Sequence, residues 1–197
     1  MARAAGDRPA RRGARDGLTY PRELETERLA LTAWSRDDAE ALVVINADAE
    51  VMRYLRAADR AESLAQSERF AAHWEEHGYG LWALRPRAGG DLLGFAGLSI
   101  PYHFPPVLPA VEVGWRLRRD AWGHGYATEA ARAALAHGFA DLGLDEIVSL
   151  VHEGNVRSRA VAGRLGLRIR ERIGVVVVYH TRVMPASATP SRSGSRP

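Results

Sequence analysis

Hydrophobic and polar positions change period several times along this chain, and each change marks an expected element. Arg28–Trp34 alternates with a period of two, as a half-buried strand does. Ser35, Arg36, Asp37 and Asp38 then read as an N-cap with acids in the first turn, opening a helix to about Asn46. A short helical piece is expected near Glu50–Leu55, and a second amphipathic helix from Ser63 to about Glu76, ended by Gly78. Tyr79–Arg85 and Leu92–Ile100 form a predicted hairpin across Arg87–Asp91. Four prolines make 101–109 a stiff connection. Val111–Leu117 is a strand, and Tyr126–Leu142 a helix whose Ala127, Ala130, Ala131 and Ala134 permit close packing on a sheet. Glu146–His152 is a strand and Val156–Leu165 a helix. Leu167–Ile173 and Val175–Val183 form a last hairpin about Gly174, its register open.

The junction between the strand Val111–Leu117 and the helix at Tyr126 carries the most chemistry. A helix N-terminus presents unpaired amides and a partial positive charge, which suits a phosphate or diphosphate. Gly123 and Gly125 let the backbone turn sharply there and come close to a ligand. A dinucleotide fingerprint would need Gly or Ala where Thr128 stands, and an acid ending a second strand about 20 residues on. Asp145 has that spacing but precedes its strand, so the dinucleotide reading is weak.

Further on, Asn155-Val156-Arg157-Ser158 opens the next helix, which ends Leu165-Gly166-Leu167. Taken with Glu112-Val113-Gly114 on the strand and the Gly123-His124-Gly125 loop, the chain resembles the GNAT superfamily of acetyl-CoA-dependent N-acetyltransferases. Leu24–Leu31 resembles the first strand of the branch that holds the ribosomal-protein N-terminal (RimJ/RimL-like) acetyltransferases. The resemblance spans roughly residues 22–184. It implies an α/β (α+β) fold, with a mixed, twisted central sheet of about six to seven strands and helices on both faces. It also implies acetyl-CoA as donor, an amine acceptor and no metal.

The resemblance further assigns site residues. Trp122, Gly123, His124, Gly125, Tyr126, Ala127 and Thr128 would hold the diphosphate, His124 through its backbone. The family's loop carries Gln or Arg where Asp120 stands here, so Arg118 or Arg119 would supply that charge. Glu112 points to the opposite face from Val111, Val113 and Trp115, and is the candidate general base; its alternative is a structural carboxylate paired with an arginine. Main-chain amides around Val113–Trp115 would meet the oxyanion. Asn155 would bond the pantetheine or a water, and Ser158 would donate toward the sulfur, although both residue types are also ordinary caps. Ala162 occupies the position of the family's usual tyrosine acid, leaving Ser158, Tyr179 or water to protonate the thiolate. His152 is an alternative base. Arg157, Arg159 and Arg164 are candidates for the 3′-phosphate, and Trp82, Tyr102, His103 and Phe104 for the acceptor wall. His73 and His77 have a metal-compatible spacing without the His-Glu-x-x-His pattern.

Composition narrows the class. At 197 residues one domain is expected, over 20–184, with Arg-rich tails at 1–19 and 185–197 expected to be disordered. The net charge is +3, but residues 1–23 hold six arginines against three acids and 185–197 hold two against none. The interior is therefore slightly acidic, which argues against nucleic acid as the partner despite a pI near 9.7. There is no cysteine, which removes disulfides, thiolate metal sites and a cysteinyl acetyl-enzyme, and fits a cytoplasmic protein. No apolar run approaches the roughly 18 residues of a membrane span. The acceptor amine is not legible, and the branch tilts toward a peptide N-terminus. Homodimers are common in the superfamily. Two other classes stay open: a fold of this kind that holds acetyl-CoA without turnover, and a ribosome-associated factor using the arginine-rich tails.

Overall fold

The computed structural model describes residues 20–182. Both expected tails, and residues 183–184 of the expected domain, lie outside the described residues. In chain order the elements are β1 (Glu23–Glu25), β2 (Leu29–Ala33), α1 (Ala39–Ala47), α2 (Ala49–Met52), α3 (Arg60–His77), β3 (Leu81–Pro86) and β4 (Gly94–Ser99). Then follow β5 (Glu112–Leu117), α4 (Tyr126–Ala140), β6 (Glu146–His152), α5 (Val156–Arg164), β7 (Arg168–Ile173) and β8 (Val176–Arg182). No helix among the described residues is long and apolar enough to cross a membrane.

The strands form one eight-stranded sheet in the order β1-β2-β3-β4-β5-β6-β8-β7. That is one more strand than expected, because the three-residue β1 pairs with β2 as a separate edge strand. Every neighbouring pair is antiparallel except β5 and β6, the parallel pair at the centre. The last hairpin resolves into β8 beside β6, with β7 outside it; a register shift between Ile169 and Glu171 bends this outer strand. Its exposed charges suit an edge, where unpaired backbone otherwise invites further strands.

The long helix begins at Arg60, three residues before the expected Ser63. Asp59 accepts from the Glu62 amide (2.8 Å) and Glu62 from the Asp59 amide (3.1 Å), a reciprocal cap that wins the start. Ser63 is instead buried and accepts from Asn46 Nδ2 at 3.0 Å. The core closes around Trp34, Trp74 and Trp82, each at most 1% exposed. Their indole N–H groups reach Ser67 Oγ, the Leu81 carbonyl and the Pro21 carbonyl, so the buried donors are satisfied. Trp82 stacks on Tyr20 at 4.6 Å and belongs to this core, not to an acceptor wall. Ala130, Ala131 and Ala134 are fully buried and seat α4 closely against the sheet.

Candidate active site

The centre of the sheet is where its hydrogen bonding stops. β5 and β6 share a single register pair, Glu112 with Val148, anchored by the Val148 amide donating to the Val111 carbonyl at 2.9 Å. Two residues on, the Leu150 amide donates to the Glu112 side chain (Oε1, 3.2 Å) and not to a β5 carbonyl. The strands part there, with the Glu112 carboxyl at the apex of the gap. Since main-chain groups alternate edges along a strand, the Val111 contact puts those of Trp115 on the edge facing that gap. Gly114 lies between, and a Cβ there would meet nothing within 4 Å, so the sheet floor beside Glu112 is open.

Glu112 is 8% exposed, and no cation stands within salt-bridge range of it among the described residues. Burial pushes its carboxyl up from 4.5 to about 7, the Leu150 amide pulling back only in part. The pairing with an arginine that would make it purely structural is not formed.

Beyond β5, residues 118–125 turn into α4. Gly123 and Gly125 both hold φ of +83°, in the left-handed region that disfavours side chains. Among the described residues, no protein acceptor faces the amides of Gly123, Gly125, Tyr126, Ala127 or Thr128. A Cβ on Gly123 would meet nothing within 4 Å. Free amides, open space and the start of a 15-residue helix fit a diphosphate.

What holds this turn is a brace that sequence reasoning missed. Glu129, in the first turns of α4, accepts from the Thr26 hydroxyl (2.6 Å), the Arg28 amide (2.9 Å) and Arg28 Nε (2.8 Å). Arg28 Nη1 in turn donates to the His124 carbonyl at 2.7 Å, and its guanidinium lies 5.0 Å from the Tyr126 ring centre. Thr26 and Glu129 are 103 residues apart, so no local signal joins them.

The other expected residues divide. Arg118 forms a fork with Asp120 (3.1 and 2.7 Å) and lines an open concavity of about 380 Å³ with Ala41, Val44 and Arg85, apart from the free amides; Arg119 is exposed. Val113 is fully buried in the core. Trp115 packs between the main core and the cluster of Val151, Ala162 and Tyr179. The His124 ring stacks on Tyr126, and Trp122 bonds the Leu117 carbonyl. Asn155 caps α5 by accepting from the Ser158 amide (3.1 Å), while the Ser158 hydroxyl has no partner among the described residues. The Tyr179 hydroxyl accepts from Arg159 Nε (3.3 Å), which leaves its own proton free to donate. Arg157 lies 4.8 Å over the Trp122 ring, beside the loop; Arg164 ends α5 and is exposed. His152 accepts from the Gly154 amide and rests against Tyr54, which follows α2. His73 engages both ring nitrogens, with the Tyr79 carbonyl and the Ile100 amide, and so is not disposed to bind a metal with His77.

Comparison with known proteins agrees with this geometry. Residues 28–168 match the family model described as acetyltransferase (GNAT) domain. The chain is 31% identical over 160 residues to the uncharacterized protein YkkB of Bacillus subtilis, covering 77% of this chain and 88% of that one. A solved acetyltransferase from Agrobacterium tumefaciens superposes with a TM-score of 0.72 at 28% identity, over 82% of this chain and 94% of the other. The fold is also that of RimL, a ribosomal L7/L12 alpha-N-protein acetyltransferase solved with coenzyme A: TM-score 0.64, 16% identity, 83% of this chain and 97% of that one.

Proposed function

Since the chain belongs to the GNAT acetyltransferase domain family, we propose that it moves an acetyl group from acetyl-CoA to a primary amine by direct attack within a ternary complex. The observation that carries this reading is the parting of β5 from β6 at Glu112. It leaves a buried carboxyl of pKa about 7, main-chain groups facing a gap, and an anion seat one short loop away.

Bound acetyl-CoA supplies a thioester, an acyl group already activated toward an amine. The amides of Gly123, Gly125, Tyr126, Ala127 and Thr128 hold its diphosphate, and Arg157 or Arg164 reaches the 3′-phosphate. An aliphatic ammonium cannot attack until it loses a proton. Glu112 takes that proton; its carboxyl, raised to about 7, is ionised in part at neutral pH. The Trp115 amide donates to the carbonyl oxygen as it gains charge. As the C–S bond breaks, the attacking nitrogen's second proton passes through the Ser158 hydroxyl to the departing sulfur; Asn155 fixes the helix that carries Ser158. A cysteinyl acetyl-enzyme has no cysteine to form on.

The test is to incubate the protein with acetyl-CoA and a panel of primary amines while following free thiol. Amine-dependent thiol release is expected. Tight acetyl-CoA binding with no release above background for any amine would favour a protein that holds acetyl-CoA without turnover.

A further inference from the structure

Arg116 lies on the same face of β5 as Glu112 and Gly114, and among the described residues it is a cation without a counterion. Its Nη1 donates to two neutral oxygens, Asn46 Oδ1 at the end of α1 and Gln66 Oε1 in α3. Its guanidinium stacks 5.3 Å from the Phe95 ring. Among the described residues, Nε is sealed from water with no acceptor, Nη2 has no partner, and no carboxylate lies within salt-bridge range. Burial alone brings this guanidinium down to about 10, so it still carries its charge at neutral pH.

Two other arginines of this chain show what that edge does when a carboxylate is present. Arg118 turns Nε and Nη2 onto Asp120, and Arg28 turns the same two nitrogens onto Glu129. Burying a charged group against neutral partners is unfavourable unless an opposite charge arrives. The holders of Arg116 are themselves placed for that. Asn46 stands just before the 48–59 segment, and Tyr54 within that segment rests against His152 and Gly154, which follow β6 across the parted strands. Along the same face of β5 lie the open floor at Gly114 and the Glu112 carboxyl.

We propose that Arg116 is the specificity residue for an anionic group on the acceptor, so that the substrates are amines that also bear a carboxylate or a phosphate. This rests on the transferase reading above. The amine lies toward Glu112 and the anion toward Nη2, with Gly114 as the floor between them. The four-residue step from Glu112 to Arg116 spans about 13 Å of strand before the side chains reach back, which suits a short peptide with an acidic or phosphorylated residue near its amino end.

The experiment compares matched acceptors in the thiol-release assay. Tripeptides with a free amino end carry Gln, Glu or phosphoserine at the second and third positions, and ethanolamine is set against O-phosphoethanolamine. The wild type should favour the anionic member of a pair by about tenfold or more in kcat/KM, as a charge-assisted hydrogen bond provides. Arg116→Gln should level the pairs, and Arg116→Lys should keep part of the preference; coenzyme A affinity by calorimetry shows that each variant is folded. Glutamate and phosphoserine peptides report which anion is preferred. Equal transfer to neutral and anionic members by the wild type would overturn the proposal while leaving the transferase standing. A preference that survives in folded Arg116→Gln would also overturn it. Should that variant fail to fold, the wild-type ratio and Arg116→Lys decide. Coenzyme A binding with no transfer to any acceptor would instead remove the transferase reading, and the proposal with it.

Discussion

Glu112 and Glu129 are two carboxylates on consecutive elements, the first buried and the second half-buried, and they are held in opposite ways. Glu129 is pushed up by burial, yet the Thr26 hydroxyl, the Arg28 amide and the Arg28 guanidinium outweigh that and leave its carboxyl below the ordinary value. Glu112 is more deeply buried, with one backbone amide on its carboxyl and, among the described residues, no cation beside it, and it ends near 7. A carboxylate with its lone pairs met and a cation beside it is locked in one charge state, and so is a strut. One left nearly alone is poised between states at neutral pH, which is what proton transfer requires. The contrast separates the brace of the anion seat from the chemistry it serves.

The sharpest way to break this comparison is Glu112→Gln. It should lower kcat by roughly 10²–10⁴-fold with little change in coenzyme A affinity. Wild-type kcat/KM should climb with pH through about 7 as the carboxyl ionises, and the variant should lose that limb. Steady-state rates across pH 5–9 check both, and a variant with wild-type turnover would take Glu112 out of the mechanism.

Stability gives the next largest effect, with a definite sign. The folded chain holds the Glu112 proton more tightly than the unfolded chain, so stability present below about 4.5 is lost as pH rises through about 7. The full swing is up to about 3 kcal/mol. Denaturant melts should therefore show Glu112→Gln gaining on the wild type between pH 5 and pH 8. A constant difference would mean that the carboxyl is not desolvated as described.

Gly125→Val attacks the other region. The residue sits at φ +83°, and its Cβ would meet Arg28 Nη2 at 3.3 Å. Coenzyme A affinity should fall by about 100-fold, since both the turn and its brace must shift. Calorimetry reads this directly, and unchanged affinity would move the diphosphate elsewhere. The smallest expected effect is that of Glu129→Gln, which weakens the brace while keeping its shape: about 1–2 kcal/mol in stability, with kcat for bound substrates nearly unchanged. A kcat loss like that of Glu112→Gln would erase the distinction between strut and base.

Much of this was legible along the chain. Periods of two and 3.6 located every long element, because side-chain direction repeats within a few residues and hydrophobic burial follows it. The glycine loop and the alternation that turns Glu112 away from Val113 are local in the same sense. Boundaries slipped where local signals competed. At α3 the Asp59–Glu62 cap overrode Ser63 as the start, and β1 is too short to show a period. That the Tyr179 hydroxyl accepts from Arg159 could not be read from the sequence.

Residue identity and spacing thus specified which elements form and which side chains could act, since both depend on stretches of about ten residues. They could not specify the state of those side chains. Whether a carboxylate is a base or a strut, and whether an arginine has a counterion, depends on what stands across the space it faces. In this chain Thr26 and Arg28 reach Glu129 from about 100 positions away, the Leu150 amide meets Glu112, and Asn46 and Gln66 hold Arg116. Desolvation and charge pairing are properties of the assembled neighbourhood, and only folding assembles it.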